Sequence, residues 1–390
     1  MDRQWGVGTW NIGVGSYREG IGVEGYWLEG LIPGTAAKFE LGVPYFAAES
    51  GGWAAANKIF NTAAPGATLS APLSDTISTY TWFSWIGQDQ DGYFSGNGDD
   101  WALGTRATFT LTEGLEADLI YAYHMSECGS AEKATDPNAS CDTGALYFTG
   151  SNTAREENRH WIGSTVRYQY ADFSFSPTLI LYFADDELAG DTESMLLDVR
   201  ADYSTGPLSL SGRVVYTPGS GVNSDGTQRT DKDYDVIGVW GIPHATQWFS
   251  LFGNSSGSPT YNDLGPLLVG DSAQGNIRHE SFGLVHAAAK AEYTLTPQTS
   301  IGVALGLFNT AEDTAGMPRD STLAGAMYAG GSHLATEGDA WLHYKLYSNT
   351  TISLFVAYAM MGDALDLVVD GTKYESQDVI GAGGRVVYSF

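Results

Sequence analysis

The sequence predicts an all-β fold, namely a transmembrane antiparallel up-and-down β-barrel of about 16 strands, with short turns at one end and long loops at the other. Three observations predict it. Apolar and polar residues alternate along segments of about 10 to 12 residues. Successive segments are joined alternately by very short turns and long polar loops, and aromatic residues gather near the segment ends. Segments of this length can cross hydrocarbon at a tilt, whereas ordinary strands have about 5 to 6 residues.

The clearest hairpin runs from Trp101 to Tyr123. One face of its first segment carries Trp101, Leu103, Thr105, Ala107, Phe109 and Leu111. One face of its second segment carries Leu115, Ala117, Leu119, Tyr121 and Tyr123. Only Thr112, Glu113 and Gly114 separate the two segments, and this length and composition are typical of a tight hairpin turn.

The same unit recurs along the chain. Further short turns are predicted at Ala171-Asp172, Ser204 to Pro207, Thr296 to Gln298 and Ser348 to Thr350, and less clearly near His244 to Gln247. Long polar loops are predicted at Gly87 to Asp99, Ser126 to Glu157, Ser255 to Ser281 and Ala311 to Gly338. Such an alternation is typical of outer-membrane-type barrels. An ordinary β-sheet enriched in Tyr and Trp is the alternative interpretation.

The segments set the expected strand number. Counting back from residue 390 gives about fourteen strands that begin near Thr76, and residues 1–75 are expected to add two more. Totals of fourteen and eighteen are the alternatives. Glycine blurs the phase of residues 1–75, so this part is predicted to supply the first strands, an inward-folding segment such as Trp53 to Phe60, or both. The whole chain, 1–390, is predicted to be a single transmembrane β-barrel domain.

Composition excludes several classes of protein. Nineteen Lys and Arg residues against 46 Asp and Glu residues give a net charge of −27, which would repel a nucleic acid. An aromatic share of 13% and an apolar share of 43% exclude a disordered chain. The longest apolar runs stop after about ten residues, too short for a spanning helix. The opening residues Met1 to Trp5 do not begin a secretory signal, so we expect either a cytosolic chain or a mature chain with an added start Met.

The last segment, Val379 to Phe390, carries the most specific pattern. Ala382, Val386, Tyr388 and Phe390 share one face, and the sequence ends on Phe. In this respect it resembles bacterial outer-membrane β-barrel proteins, porins in particular, and the pattern does not assign it to a particular porin family. The resemblance covers the pattern from about Thr76 to Phe390 and includes no catalytic motif.

The resemblance implies a location and a function. It implies assembly into the outer membrane of a Gram-negative bacterium, contact with outer-membrane lipid and lipopolysaccharide, and a channel for passive diffusion of ions or small polar solutes. Many porins are trimers, so a homotrimer is one expectation, and a partner protein inside or beside the barrel is another.

A barrel of this size encloses a lumen that side chains alone do not fill. Charged residues opposite the apolar strand faces are predicted to line it, as a ladder of bases facing acids. These pore-lining candidates are Arg106, Arg167, Arg200, Arg213, Arg385, Lys290, Lys345, Glu116, Asp118, Asp198, Asp202 and Glu292. The equally weighted alternative is that they are paired charges that hold the wall together.

Loops rich in acidic residues weakly indicate calcium binding, since calcium takes about six to eight oxygen ligands. The candidates are Asp89, Asp91, Asp99, Asp100, Asp185, Asp186 and Glu187. No segment fits the EF-hand loop pattern, so a solvated acidic surface is the alternative. No other cofactor is expected.

Catalysis finds little support, because the seven histidines are scattered and no metalloprotease, nucleophile-elbow or haem-attachment motif occurs. We therefore expect no enzyme. Two alternatives to a channel remain: a sheath or scaffold that encloses a partner such as a cytochrome or an exported polymer, and a hydrolase whose site is assembled from separate strands.

Cys128 and Cys141 are the only cysteines and lie in one predicted loop. In an oxidising compartment, and without metal-ligand spacing, they are predicted to form a disulfide that closes a loop of about 14 residues and stabilises by about 3 kcal/mol. Labelling of the unreduced, denatured protein should then find no free thiol.

Overall fold

The structure, a computed structural model, describes residues 9–17, 20–43, 59, 65–85, 100–128, 155–186, 191–221, 231–232, 249, 282–316 and 327–388. Sixteen strands form an antiparallel sheet in which each strand lies beside its neighbours in the chain. They are β1 (Thr9–Tyr17), β2 (Gly20–Leu31), β3 (Lys38–Val43), β4 (Gly66–Ser74), β5 (Ile77–Trp85), β6 (Asp100–Thr112), β7 (Leu115–Cys128), β8 (Arg155–Tyr170), β9 (Phe173–Asp186), β10 (Thr192–Thr205), β11 (Leu208–Thr217), β12 (Leu284–Thr296), β13 (Thr299–Asn309), β15 (His333–Tyr347), β16 (Thr350–Met361) and β19 (Val379–Tyr388).

A smaller sheet lies within the connections of the later strands. It consists of β14 (Met327–Tyr328), β17 (Leu367–Val369) and β18 (Thr372–Tyr374), and a short 3-10 helix, η1 (Asp363–Leu365), lies just before β17 in the chain. Among the described residues, no helix has the length and hydropathy needed to cross a membrane.

The chain divides into two compact units. Unit 1 contains residues 1–165, 180–192 and 235–239, and unit 2 contains residues 166–179, 193–234 and 240–390. The strands β1 to β7 belong to unit 1. The pairs from β10–β11 through β16–β19, together with the smaller sheet, belong to unit 2.

The predicted all-β, antiparallel up-and-down architecture of sixteen strands is confirmed. The positions of the strands along the chain differ from the prediction in one respect. Twelve of the sixteen strands begin at or after Ile77, and four precede it. The expectation of fourteen strands from near Thr76 is therefore wrong. It was too high because the chain between β11 and β12 contributes no strand to the sheet among its described residues, whereas 9–74 contributes four.

The predicted tight turns connect the strands as expected. Gly114 and Gly206 have positive φ angles of 75° and 52° in the turns after β6 and β10, a conformation that glycine adopts without steric cost. The turn predicted near His244 to Gln247 lies outside the described residues. Several strands are longer than expected: β7 reaches Cys128, and β15 begins at His333, inside the loop predicted to end at Gly338.

Glycines in the sheet make room for large aromatic side chains on adjacent strands. A Cβ atom on Gly302 would lie 2.2 Å from the Trp341 ring, and one on Gly383 would lie 2.7 Å from the Phe355 ring. The two glycines pair directly with these aromatic residues. Each aromatic ring therefore lies over the backbone of the neighbouring strand, where any larger residue would displace it.

Candidate functional site

The two faces of the sheet in unit 2 have opposite chemical characters. On β13, Ile301, Val303, Leu305 and Leu307 are exposed, with relative exposures from 40% to 58%, while Ala304 and Phe308 between them are 5% and 1% exposed. Strand β16, which is separated from β13 by β15, alternates in the same way, with exposed Leu354, Val356, Tyr358 and Met360. We call this side the apolar face of unit 2. The other side, which carries the charged residues, is its polar face.

A paired-charge patch lies on the polar face of β10, β11 and β12. Asp198 and Arg213 form its buried ion pair: Arg213 donates from Nε and Nη2 to the two carboxylate oxygens, over 2.9 and 2.6 Å. Both side chains are only 5% exposed. Such a two-pronged contact fixes the relative position of the two strands and satisfies both charges.

The rest of the paired-charge patch lies closer to the short turns. Arg200 donates to both oxygens of Asp202, at 2.9 and 3.0 Å, and Ser211 adds a hydrogen bond of 2.6 Å to Asp202. Lys290 lies within electrostatic reach of Asp202 and Glu292. The patch thus contains three bases (Arg200, Arg213 and Lys290) and three acids (Asp198, Asp202 and Glu292), so its formal charges cancel.

Hydrogen bonds extend the patch across the next three strands. Ser300 on β13 donates to Glu292 at 3.0 Å. The Nδ1 atom of His343 on β15 lies 2.7 Å from the hydroxyl of Ser353 on β16. A continuous polar band therefore crosses the polar face from β10 to β16.

A second, acidic patch lies on the same face nearer the long connections. Glu337 and Asp339, two residues apart on β15, are 0% and 4% exposed. Their cross-strand neighbours are Gly306 and Ala304 on β13, and Ala359 and Ala357 on β16. The neighbouring side chains on the sheet are thus small and uncharged, unlike those of the paired-charge patch.

Unit 1 shows the same division into faces. Phe83, Trp85, Leu119 and Tyr121 are exposed, whereas Trp82, Ser84, Asp118 and His124 on the alternate positions are buried. Arg106 lies on the polar face of this unit, 5.5 Å from the Tyr80 ring centre. Aromatic rings also lie close together near the long-loop end, where the ring centres of exposed Phe83 and half-buried Trp101 lie 6.1 Å apart.

The structure places all twelve predicted pore-lining residues on the polar faces of their strands. Arg106, Glu116 and Asp118 do so in unit 1, and the other nine in unit 2. Their role as lining of a pore stays a prediction. The ion pairs of Arg200 and Arg213 correspond to the alternative interpretation, in which charges hold the wall together.

Sequence reasoning missed several buried polar residues on these faces. Glu337 falls in the predicted loop Ala311 to Gly338 and Asp339 directly follows it, although their alternation with Gly338 continues the phase of Trp341. Arg159, 1% exposed, was likewise assigned to the first residues after a loop. Extending the alternation of β8 and β15 backwards through the polar residues would have found all three.

Other predicted sites lie partly outside the described residues. Among the calcium candidates, Asp89, Asp91, Asp99 and Glu187 fall there, as does Cys141. Cys128 is the last residue of β7. In the part of the chain that the structure describes, no three His, Cys, Asp or Glu residues are grouped so that they could hold a metal ion.

Carboxylates organise the connection between β16 and β19. Asp366 accepts hydrogen bonds from the Ser376 backbone N–H and hydroxyl, at 2.7 and 3.0 Å, and pairs with Lys373 at 2.9 Å. Burial raises the pKa of Asp366, but these contacts outweigh it and hold the pKa below its ordinary value. Asp378 accepts from the Tyr358 hydroxyl at 2.5 Å and the Met361 N–H, and the two contacts lower its pKa.

Exposed apolar strand faces backed by charged faces are typical of transmembrane β-barrels, in which lipid contacts one face and water the other. Among solved structures, the chain is similar to the outer membrane protein OprD from Pseudomonas aeruginosa, at 13% identity and a TM-score of 0.48 over 94% of this chain and 79% of that one. It is also similar to OccAB4 from Acinetobacter baumannii, at 12% identity and a TM-score of 0.49 over 96% and 78%.

A third similar structure is OccK10 (OpdN) from Pseudomonas aeruginosa, at 13% identity and a TM-score of 0.45 over 99% of this chain and 94% of that one. No protein-family model and no curated protein matches the sequence. The two faces of the chain's own sheet, rather than these likenesses, carry its functional assignment.

Proposed function

We propose that the protein is an outer-membrane channel through which ions or small polar solutes diffuse passively, and that its sixteen-stranded sheet closes into a barrel in the membrane. It performs no covalent catalysis. Its surroundings are outer-membrane lipid and lipopolysaccharide on the outside of the barrel and small solutes in the lumen. Assembly into a homotrimer belongs to the same proposal.

One observation carries this proposal: in each unit, large apolar side chains are exposed while charged side chains are buried on the opposite face. A soluble protein rarely exposes a contiguous apolar surface of this kind, because water would drive it to associate. Hydrocarbon accepts it, and the alternation along β13 and β16 matches the lipid-facing strands of outer-membrane barrels.

The opposite face then requires water. Side chains alone can fill a barrel of about eight strands, but one of sixteen encloses a lumen. The paired-charge patch and the exposed Lys345 and Arg385 would face that lumen. The surplus of acids elsewhere in the chain predicts a mild preference for cations in dilute salt, which fades as salt rises because the Debye length shortens.

Planar-bilayer recording of the purified protein tests the channel. Discrete conductance steps are the expected result. A membrane that stays sealed would overturn the proposal and favour a scaffold or a hydrolase, which assays of lipid and peptide hydrolysis would then separate.

A matched pair of substitutions tests the membrane-facing surface. Leu305→Lys places a charge in the middle of β13, and Leu295→Lys places one beside the turn after β12; both residues are exposed, at 58% and 52%. In a membrane, the first should destabilise by about 2 to 4 kcal/mol and the second by about 0 to 1 kcal/mol. Equal effects in urea unfolding from lipid vesicles would contradict the proposed orientation.

A further inference from the structure

The connection between β16 and β19 turns over the polar face of unit 2. Its short helix η1 contacts β15. Ala364 of η1 is 0% exposed and belongs to a buried apolar cluster that includes Ala335, Ala357 and Ala359, which lie on the polar face of β15 and β16. Leu365 packs against the same cluster. The connection therefore covers the side of the sheet that carries the charged residues, and leaves the apolar face uncovered.

A glycine lets the chain make this turn. Gly362 lies between the end of β16 and η1, and a Cβ atom on it would overlap the carbonyl oxygen of His333. The Gly362 N–H donates to the Leu334 carbonyl over 2.8 Å, and the Gly362 carbonyl accepts from the Ser376 hydroxyl over 3.0 Å. The first and last parts of the connection are thus tied to each other and to the start of β15.

A buried threonine joins this connection to the one between β13 and β15. Thr314 is 3% exposed, and its hydroxyl lies 3.1 Å from the Ala364 carbonyl oxygen and 3.2 Å from the Gly331 carbonyl oxygen. Strand β14 of the earlier connection also pairs with β17 of the later one. The two connections therefore form one folded piece, which we call the cap. The cap comprises residues 310–316, 327–332 and 362–378.

The later part of the cap carries an excess of acids. Residues 362–378 contain five acids and one base, a net charge of −4: Asp363, Asp366, Asp370, Glu375 and Asp378 against Lys373. Asp370 and Glu375 are exposed. A field of one sign concentrates ions of the opposite sign, so a cap of this charge attracts cations to whatever opening it covers.

We propose that the cap is a fixed lid over the long-loop end of the lumen, and that Thr314 and Gly362 are positioning residues that hold it there. The lid narrows the passage and adds the field of its acids to the ion path. This inference rests on the proposed channel function. Loosening the lid should raise the conductance and weaken the preference for cations, because the passage widens while the acids move away from the ions.

Bilayer recording of two matched Thr314 variants tests the inference. Thr314→Val keeps the shape of the side chain but removes the hydroxyl that donates to the buried Ala364 carbonyl. Its channel should visit a state of higher conductance about fivefold more often. Reversal potentials in dilute KCl should show a weaker preference for cations. Thr314→Ser keeps the hydroxyl and should keep both values of the parent. A Thr314→Val channel with the parent's conductance and reversal potential would overturn the inference.

A matched pair of glycine substitutions provides a second route. Gly362→Ala should displace η1 from β15 and change conductance and cation preference in the same directions as Thr314→Val. Gly338→Ala is the control on β15, since a Cβ atom there meets nothing within 4 Å, and it should leave both measurements unchanged. If Gly362→Ala does not fold, the two Thr314 variants decide the question.

The charge of the lid is tested without moving it. Asp370→Asn combined with Glu375→Gln removes two exposed charges, and asparagine tolerates the positive φ of 49° at position 370. The preference for cations in dilute KCl should fall, while the conductance in concentrated KCl should stay that of the parent. An unchanged reversal potential would overturn the electrostatic role of the cap.

Amide exchange separates failure of this inference from failure of the channel proposal. The Gly362 N–H donates to Leu334, and the Ala329 N–H donates to the Asp366 carbonyl over 2.8 Å. Both amides should exchange severalfold faster in Thr314→Val than in the parent, and at the parent's rate in Thr314→Ser. Equal rates in all three proteins would overturn the latch whether or not the protein conducts. A sealed bilayer with faster exchange would overturn only the channel.

Discussion

The paired-charge patch and the acidic patch lie on the same face of one sheet, yet the residues next to their acids on the sheet differ. In the paired-charge patch, each acid has a base on its own or an adjacent strand, as in Asp198 with Arg213 and Asp202 with Arg200. In the acidic patch, the direct cross-strand neighbours of Glu337 and Asp339 on β13 and β16 are glycine and alanine. These alanines belong to a buried apolar cluster that also includes Phe249 and Ala364, which come from connections between strands.

The difference teaches that a polar sheet face can keep its charges in place by two physical routes. Charges on adjacent strands can neutralise one another, at the cost of removing both from water. Alternatively, small residues beside the acids leave room for apolar side chains from outside the sheet, as Gly306 does for Phe249. The first route fixes two neighbouring strands to each other, and the second fixes a connection on the face of the sheet.

The largest expected effect comes from breaking the buried pair. Arg213→Met leaves Asp198 buried without its base, so the free energy of unfolding should fall by about 3 to 5 kcal/mol in urea titrations from lipid vesicles. Arg200→Met is the control, because its pair with Asp202 is about one-fifth exposed and should contribute no more than about 1 kcal/mol. A loss below 1 kcal/mol for Arg213→Met would mean that water reaches Asp198.

A smaller effect is expected at the aromatic side of the acidic patch. Gly302→Ala places a Cβ atom within 2.2 Å of the Trp341 ring, which must then move from its place on β13. Overpacking of this kind should destabilise by about 1 to 3 kcal/mol. Gly338→Ala has open space and should be neutral or slightly stabilising. Trp341 fluorescence that does not change in Gly302→Ala would contradict the predicted displacement.

The stability of the connection between β16 and β19 should depend weakly on pH. Because the folded connection lowers the pKa of Asp366 below its ordinary value of 3.8, the ionised form stabilises that connection. This stabilisation is complete above about pH 5 and is lost as the pH falls from near 3.8 through the lowered pKa. Amide exchange of Ser376, whose N–H donates to Asp366, should therefore be less protected in acid, after correction for intrinsic rates.

Asp366→Asn is the matching variant. At neutral pH it should reduce the local opening free energy at Ser376 by about 1 kcal/mol, because the hydrogen bonds and the ion pair with Lys373 lose the carboxylate charge. In this variant, the exchange protection of the Ser376 amide should no longer fall in acid, because residue 366 no longer titrates. A variant that keeps the parent's full acid response would assign that response to Asp378.

The smallest expected effect concerns ion preference at the paired-charge patch. Arg200→Gln removes the base that pairs with Asp202 and should raise the preference for cations. Asp202→Asn removes the acid that pairs with Arg200 and should lower that preference. Each change should alter the permeability ratio by less than about twofold, since partly exposed charges are screened by water and salt. Reversal potentials that move in the same direction for both variants would contradict this account.

The sequence by itself determined the sheet, because strand periodicity and turn composition are local properties. Alternation of apolar and polar residues placed Leu119 and Tyr121 on the exposed face and Asp118 on the other, and short turns such as that at Gly114 fixed the hairpin order. It also put Arg200, Arg213 and Asp198 on one face, although it left open whether they line a pore or pair.

Only the tertiary structure decided what each wall charge contacts. Pairing of Arg213 with Asp198 depends on the register between β10 and β11, which no single segment encodes. The burial of Glu337 and the contact between the Phe249 ring and Gly306 depend on residues far apart in the chain, so no local pattern could predict them. Alternation tells which face a side chain occupies, whereas register and the path of the long connections determine its neighbours on that face.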